Sequence, residues 1–570
     1  MINNRPELTT GLKWMVPPSA HRTGAEKIAR IVHQLFLVAI LLVTTFHLPT
    51  TRHADDTFRE GAFLMYGVAA PAEVMDRQPI ALRGGIERGP AKVAALFCSI
   101  DHQIVCVRQI NIALTAVTVG LFLLTLTLIT GIGSWPKFLA GLPAVATLVY
   151  LNGSAGNLVD IYQGAPGMAD LFVVAMLCAA VHLVRDAHVT AEHVTRRWII
   201  GFGFIAGFGL FWSYDLGVTI LLLTVIAYFA MNRVLPGIRA GLSMVIGVAI
   251  GSAVPFLIGL NRGVGANFYA LTYWLQHGDI WWLSWNRSMM FIDGPILLMT
   301  VGLFWLGLGV MRRNLKIGDG GQAMLVTLVM TPVVIAVAQM ILRTDPQHIG
   351  TALAMGSLLA ALVLTEMSHD WIWNIRPAVT AMASAAMVFV VSIYGPRPLT
   401  TLPDMWSRDI PVAIDTWTGP SPRDIDLVPA GLREAAEAIR AKSPTCTYSF
   451  SNEGLLYLLA RTPPCSRFAY PVYIASDKQS DVISELERAN PPVVLGQSAA
   501  WSNDVDGRGL ADRTPELAAW LNDRYPYRKM LSGGYEVRSR EAPPKIAAAP
   551  AAYNKPSINP TSAVKTLPAK

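Results

Sequence analysis

IVHQLFLVAILLVTTFHL, residues 31–48, contains no Asp, Glu, Lys or Arg and is followed almost at once by HADDTFRE, residues 53–60. A run of about 18 apolar residues is enough for a helix to cross ~30 Å of hydrocarbon while satisfying its own backbone hydrogen bonds. The second string places Asp55, Asp56 and Glu60 just beyond the end of that helix, where a polar group needs a reason to be. Arg22, Lys27 and Arg30 precede the apolar run and no small-residue cleavage site follows it. It therefore reads as a retained first span rather than a signal peptide.

The rest of the chain repeats this pattern. Of 570 residues, 52% are hydrophobic and only 15% charged, and the mean hydropathy is +0.41, well above a soluble globular protein of this size. The expected class is a polytopic, all-α membrane protein. About eleven spans are predicted, near 31–48, 109–131, 139–153, 167–184, 199–212, 217–231, 240–260, 293–311, 323–342, 350–366 and 378–394. Orientation follows from the loops, because Lys and Arg collect on the cytoplasmic side. With residues 1–30 as a cytoplasmic segment, the inside loops carry Lys137, Arg185, Arg196, Arg197, Arg233, Arg239, Arg312, Arg313, Lys316 and Arg376. The outside loops hold Asp55, Asp56, Glu60, Asp160, Asp215, Asp279 and Asp345, together with Arg343 and several basic residues in the long first loop, whose length weakens their vote. The net charge of +7 is thus an orientation signal and not a nucleic-acid signal. The expected location is a bacterial inner membrane.

Residues 31–394 form the predicted bundle, with a long first outer loop at 49–108. An odd number of spans sends residues 395–540 to the outer, periplasmic side, where the sequence changes character. Residues 434–440 and 516–521 read as amphipathic helices and Val493-Val494-Leu495 as a buried strand, giving a small soluble α/β domain. The Ala-, Pro- and Lys-rich residues 541–570 read as a disordered tail. Five cysteines divide into Cys98 and Cys106 in the first outer loop, Cys446 and Cys465 in the C-terminal domain, and Cys178 inside a span. In an oxidising outer compartment the two outer pairs are disulfide candidates, with free thiols as the alternative. Their spacings do not match the close pairs of a structural zinc site.

Four outer segments carry chemistry-bearing residues. Asp55 and Asp56 precede Phe58, Phe63, Leu64, Met65 and Tyr66, which read as an interfacial helix, so either Asp can serve as a base or simply cap that helix. Asp160 lies in a Gly- and Asn-rich loop at 152–164 whose residues are also ordinary turn formers. Arg343-Thr344-Asp345-Pro346-Gln347-His348 puts a guanidinium and an imidazole at headgroup level, suited to a phosphate, with a local Arg343–Asp345 ion pair as the plainer reading. The segment from Asn267 to Asp293 holds Tyr269, Tyr273, Trp274, Gln276, His277, Trp281, Trp282 and Trp285. Such aromatics can frame a lipid-linked sugar, but an interfacial aromatic belt is the default for most of them. His188 and His193, in an inside loop, receive no role.

Taken together, the Asp55-Asp56 motif outside the first span, the long first outer loop, Asp160, the 343–348 element and the outer C-terminal domain resemble the GT-C superfamily of integral membrane glycosyltransferases. The likeness is to bacterial polyprenyl-phosphate-sugar-dependent mannosyltransferase and aminoarabinose transferase relatives. It covers about residues 25–540 and includes residues 446–453 and 463–468 of the C-terminal domain. The resemblance implies a GT-C-like bundle that transfers a sugar from a polyprenyl-phosphate carrier to an acceptor glycan, lipid or protein at the outer face, usually with inversion. It implies Asp55 or Asp56 as the base, Asp160 and Glu60 as acceptor contacts or supports, and Arg343 and His348 as ligands of the carrier phosphate. A divalent cation, Mg or Mn, held by Asp56 and Asp160 stays open as an alternative use of those carboxylates. Two other classes compete: a multi-pass transporter or lipid flippase, and a non-catalytic membrane scaffold. The chain has no internal repeat, and its polar groups gather at one membrane face rather than at mid-membrane, which disfavours transport.

Overall fold

The computed structural model describes residues 24–46, 98–99, 101–131, 140–148, 166–186, 192–212, 214–231, 237–257, 287–342, 346–370, 421–442, 444–451, 453–497 and 509–542, with single residues at 273, 276, 277, 407, 411 and 414. The described chain is mostly helical. In the first part, α1 is Gly24–Phe46, α2 Gln103–Thr130, α3 spans 140–148, α4 is Pro166–Asp186, α5 Glu192–Trp212, α6 Tyr214–Met231, α7 Gly237–Leu257, α8 Arg287–Lys316, α9 Gly320–Leu342 and α10 Pro346–Asp370. Among the described residues, Gln103–Thr130, Gly237–Val254 and Gly320–Ala338 are long and apolar enough to cross a membrane, and Ile31–Leu42, Leu171–Val184, Thr219–Phe229 and Leu353–Glu366 are shorter apolar helices. The span expected at 378–394 lies outside the described residues.

Several helices begin earlier or end later than their apolar runs. α1 starts at Gly24 rather than Ile31, and α8 continues through Arg312, Arg313 and Lys316. Polar side chains are no obstacle to a helix whose end leaves the hydrocarbon, so hydropathy marks the span but not the helix. The same holds for α2, whose first turn, Gln103 to Cys106, falls within the loop expected at 49–108.

One continuous core of Leu, Val, Ala, Met and Phe side chains joins α2, α3, α4, α5, α6, α7, α8, α9 and α10, with α1 packed against it through Phe36, Leu37, Ile40 and Leu41. The closest approach is between α5 and α7. A Cβ on Gly207 would collide with the Val248 carbonyl oxygen, and one on Gly251 with the Phe204 carbonyl oxygen. Small residues at such a crossing let two backbones touch, which is how helices associate when lipid offers no hydrophobic gain. The contacts pair Ile200 with Gly247 and Phe204 with Gly251, so α5 and α7 run parallel.

The C-terminal part is a second, differently built module. It contains α11 (Ala430–Arg440), α12 (Leu455–Ala460), α13 (Gln479–Ala489), α14 (Leu510–Arg513), α15 (Pro515–Arg524) and three strands, β1 (Val493–Gln497), β2 (Tyr527–Met530) and β3 (Glu536–Ser539). The sheet order is β1-β3-β2, all antiparallel, with an irregularity in β1 between Leu495 and Gln497. On its outer edge β1 pairs with residues 448–450: Leu495 donates to the Tyr448 carbonyl at 3.0 Å and Phe450 donates back to Leu495 at 2.9 Å. α11 and α15 contain the helical segments read from the sequence at 434–440 and 516–521, and β1 contains the buried strand at 493–495.

A few contacts fix which helix ends meet the module. Ile104, Val105 and Val107, in the first turns of α2, are buried in its core with Leu432, Leu455 and Val493. Phe172 near the start of α4 and Phe208 near the end of α5 pack on the same cluster. Tyr273, between α7 and α8, is buried in the other half of the module core. α8 begins shortly after and runs about 45 Å away from it at ~1.5 Å per residue. At that far end Arg313 pairs with Glu366 of α10 at 3.2 Å, and Gln322 of α9 donates to the same carboxylate at 2.7 Å. α9 runs back antiparallel to α8, with Thr327 against Met311 and Met330 against Gly307. The exposed basic residues Arg196, Arg197, Arg239, Arg312 and Lys316 all lie at the end away from the module.

Candidate functional site

The module end of the bundle is built from two junctions. At the first, α2 begins without a cap of its own, because His102 makes no side-chain bond to the first turn. The free N–H groups of a helix start need partners when buried. Asp424 supplies them from far along the chain: its carboxylate accepts from the Gln103 N–H at 3.0 Å and the Ile104 N–H at 2.8 Å. The Asp424 N–H in turn donates to the Asp101 carbonyl at 2.8 Å. His102 Nδ1 lies 2.9 Å from the Pro422 carbonyl, which makes that nitrogen the protonated one, and Arg461 pairs with Asp101 at 2.7 Å. Cys98 is disulfide-bonded to Cys106 with a Cα–Cα distance of 5.6 Å, tying the residues that precede α2 onto its first turn. Burial pushes the Asp424 carboxyl above the usual carboxylate range, and the two backbone donors pull it partly back.

The second junction is Tyr273. Its hydroxyl donates to the Tyr473 carbonyl at 3.0 Å and accepts from the Ala475 N–H at 3.0 Å, so both capacities of the buried phenol are used. The His277 ring stacks beside it with centroids 4.4 Å apart and reaches Asp477 at 3.8 Å. For Tyr273 the aromatic-belt reading is thus corrected: the ring is 2% exposed and sits in a protein core with Phe468, not at a lipid headgroup. A phenol that has found two buried backbone partners gains nothing at an interface.

The segment that receives Tyr273 is itself pinned. Tyr448 donates to the Phe468 carbonyl at 2.7 Å, and Tyr457 donates to the Ala469 carbonyl at 3.0 Å while accepting from the Ser449 N–H at 3.0 Å. Arg467 pairs with Glu485 at 2.6 Å, and Ser466 donates to the same carboxylate at 2.7 Å. Cys446 is disulfide-bonded to Cys465, Cα–Cα 5.0 Å, across the start of this unit. Cys178 is a buried thiol within α4.

Of the residues singled out in the sequence, Asp55, Asp56, Glu60, Asp160 and Arg343 lie outside the described residues, as do the interfacial helix expected at 58–66 and the loop at 152–164. His348 falls in the first turn of α10. Chain connectivity still relates the segments: the one bearing Asp55 and Asp56 enters the described structure at Cys98, on the first junction, and the one bearing Arg343 joins α9 to α10. Among the described residues no group of three or more His, Cys, Asp or Glu could hold a metal ion. Sequence reasoning missed Asp424, Arg461 and the docking of Tyr273. No local pattern marks them, since their partners lie 200 to 360 residues away.

No family model matches the chain, and no curated protein matches it. Among solved structures it is similar to the crystal structure of ArnT from Cupriavidus metallidurans bound to undecaprenyl phosphate, with a TM-score of 0.42 and 11% identity, covering 91% of this chain and 99% of that one.

Proposed function

We propose that this chain is a membrane glycosyltransferase that moves a sugar from a polyprenyl-phosphate carrier to an acceptor glycan, lipid or protein at the outer face of a bacterial inner membrane. The observation that carries the reading is the module end of the bundle. There the connection with Asp55 and Asp56 leads into Cys98, where the C-terminal module docks on α2, and the exposed basic residues of the bundle helices lie at the other end. Lys and Arg mark the cytoplasmic side, which supports an outer location for the module and for the connection that leads into it.

In this reading Asp55 or Asp56 takes the proton from an acceptor hydroxyl, whose oxygen attacks the anomeric carbon. The bond from that carbon to the phosphate oxygen breaks, and the electron pair leaves with the polyprenyl phosphate. Arg343 and His348 bind the phosphate as negative charge accumulates on it, and Asp160 and Glu60 support the acceptor. A divalent cation on Asp56 and Asp160 would be a further source of positive charge. A positioned base is worth roughly 100- to 10,000-fold in rate. The test is transfer from a radiolabelled polyprenyl-phosphate sugar in proteoliposomes. The double variant Asp55→Asn, Asp56→Asn is expected to lose transfer by that factor, each single variant then assigning the base. Undiminished transfer by the double variant would sink the proposal.

A further inference from the structure

β2 is the last strand of the three-stranded sheet, and its residues, Tyr527 to Met530, are all exposed. In register, Arg528 stands opposite Arg538 of β3, and Arg538 opposite Val494 of β1. Directly opposed residues share a face, so both arginines lie on the Val494 side of the sheet, while α11 packs on the other side with Val493, Leu495 and Val537. Like charges set directly opposite each other cost stability. The oxygen that holds these two together is neutral. Arg528 Nη2 donates to Asn522 Oδ1 of α15 at 2.8 Å, and Arg538 Nη1 donates to the same oxygen at 2.7 Å. Arg538 also pairs with Glu536.

Arg540, two residues further on and about 7 Å along the chain at the rise of an extended strand, repeats the arrangement. Its guanidinium lies over the Tyr525 ring at 4.9 Å, and its Nη1 donates to the side-chain oxygen of Asn490. Its Nε and Nη2 make no hydrogen bond among the described residues. Those two nitrogens form the side-on fork with which arginine grips two oxygens of a phosphate or carboxylate. Asp523 follows Asn522 and Glu541 follows Arg540, yet among the described residues neither Arg528 nor Arg540 has an ion pair. Carboxylate anchors would neutralise these arginines, whereas Asn522 and Asn490 hold them in place and leave their charge. With Glu536 set against three guanidinium groups, the face keeps two positive charges. A phosphate monoester, at about −1.5 to −2 near neutral pH, matches that excess better than a carboxylate does.

We propose that this face of the C-terminal module, with Arg528, Arg538 and Arg540 held by Asn522 and Asn490, is a binding site for a phosphate group. It does not rest on the transferase reading above. The phosphate takes the Arg540 fork and the outward donors of Arg528, while Arg538 stays on Glu536 and adds its charge. Two sources present this chemistry, a lipid headgroup at the membrane surface and a soluble phosphate ester.

The experiment titrates inorganic phosphate into the full-length protein in neutral phosphatidylcholine nanodiscs by isothermal titration calorimetry. Saturable binding is expected for the unaltered protein. Arg528→Gln, at an exposed position that leaves the fold alone, and Arg540→Lys, which keeps the charge and loses the fork, should each weaken it on the order of tenfold. Asn522→Asp places a carboxylate between two arginines, so it should weaken phosphate binding as much while raising the thermal midpoint. Lys442→Gln, beyond α11, removes one positive charge elsewhere and should leave binding unchanged. In nanodiscs that include phosphatidic acid, loss of the heat shows that headgroups fill the site and persistence shows that its ligand is soluble; each result keeps the site and names its source. The proposal is overturned if the unaltered protein shows no saturable binding, if Asn522→Asp binds as the unaltered protein does, or if Lys442→Gln loses as much as Arg528→Gln.

Discussion

The bundle and the C-terminal module bury polar groups in opposite ways. In the bundle, most described hydroxyls fold back onto their own helix: Ser243 donates to the Arg239 carbonyl at 2.8 Å and Thr125 to the Leu121 carbonyl at 2.7 Å, four residues back. In the module the large buried side chains are tyrosines, and their hydroxyls reach across the chain, as Tyr457 does to Ala469 and Tyr525 to the Pro491 carbonyl at 2.8 Å. The surfaces differ to match. Ile238, Leu257 and Leu298 of the bundle stand 82%, 81% and 73% exposed, whereas among the described residues of 421–542 the large exposed hydrophobics are Tyr527 and Met530. A helix in lipid must close its hydrogen bonds locally because partners cannot be borrowed from solvent, and its shape is then decided by backbone fit. A module in water can use distant polar partners to specify a unique core.

This contrast can be broken first at the backbone fit. Gly251→Val drives a side chain into the Phe204 carbonyl and is expected to cost about 3 kcal/mol or more, read as loss of the thermal transition in detergent, while Gly302→Val, with nothing within 4 Å of its Cβ, leaves it in place. Next comes the hydroxyl comparison. Tyr457→Phe leaves the Ser449 N–H and Ala469 carbonyl without their buried partner and should cost ~1–3 kcal/mol. Ser243→Ala orphans nothing, because its acceptor already belongs to a helix, and should cost less than ~1 kcal/mol by the same scan. Equal losses would erase the distinction.

Two smaller effects test the junction. The folded protein holds the Asp424 proton more tightly than the unfolded chain does, because burial raises its pKa from 3.8. Its contribution to stability is therefore complete below the ordinary carboxylate value and declines as pH rises through the raised one. Between pH 4 and 7 the denaturation midpoint of the unaltered protein should lose ground relative to Asp424→Asn, which lacks the titration; the opposite slope would refute it. Smallest is the Arg461–Asp101 pair, 60% and 64% exposed, whose removal by Arg461→Ala should cost at most about 0.5 kcal/mol and vanish in high salt.

Much of the bundle was legible because a lipid-facing helix must be apolar over its whole crossing, so the runs near 109–131, 240–260 and 323–342 announce α2, α7 and α9. Boundaries were less legible: Gln103 and Lys316 are as helical as their neighbours yet polar enough to end a hydropathy window. The strand at 493–495 was visible as a buried apolar run. The junctions were not, since the same Asp424 could end any polar turn and only the approach of α2 makes it a cap. Tyr273 was misread for a related reason, as an aromatic beside a membrane helix has the same local sequence whether it meets headgroups or a protein core.

The cap on α2 also sets an order of manufacture. Asp424 lies 321 residues after Gln103 in the chain, a gap that takes about 15–60 s to synthesise at ~5–20 residues per second. Throughout that interval α2 has been made and its first turn waits without the carboxylate that closes it. The module therefore closes the junction at Cys98 and α2 only after residue 424 has been made, so any shortened product ending before it would carry the bundle helices and lack the closed junction.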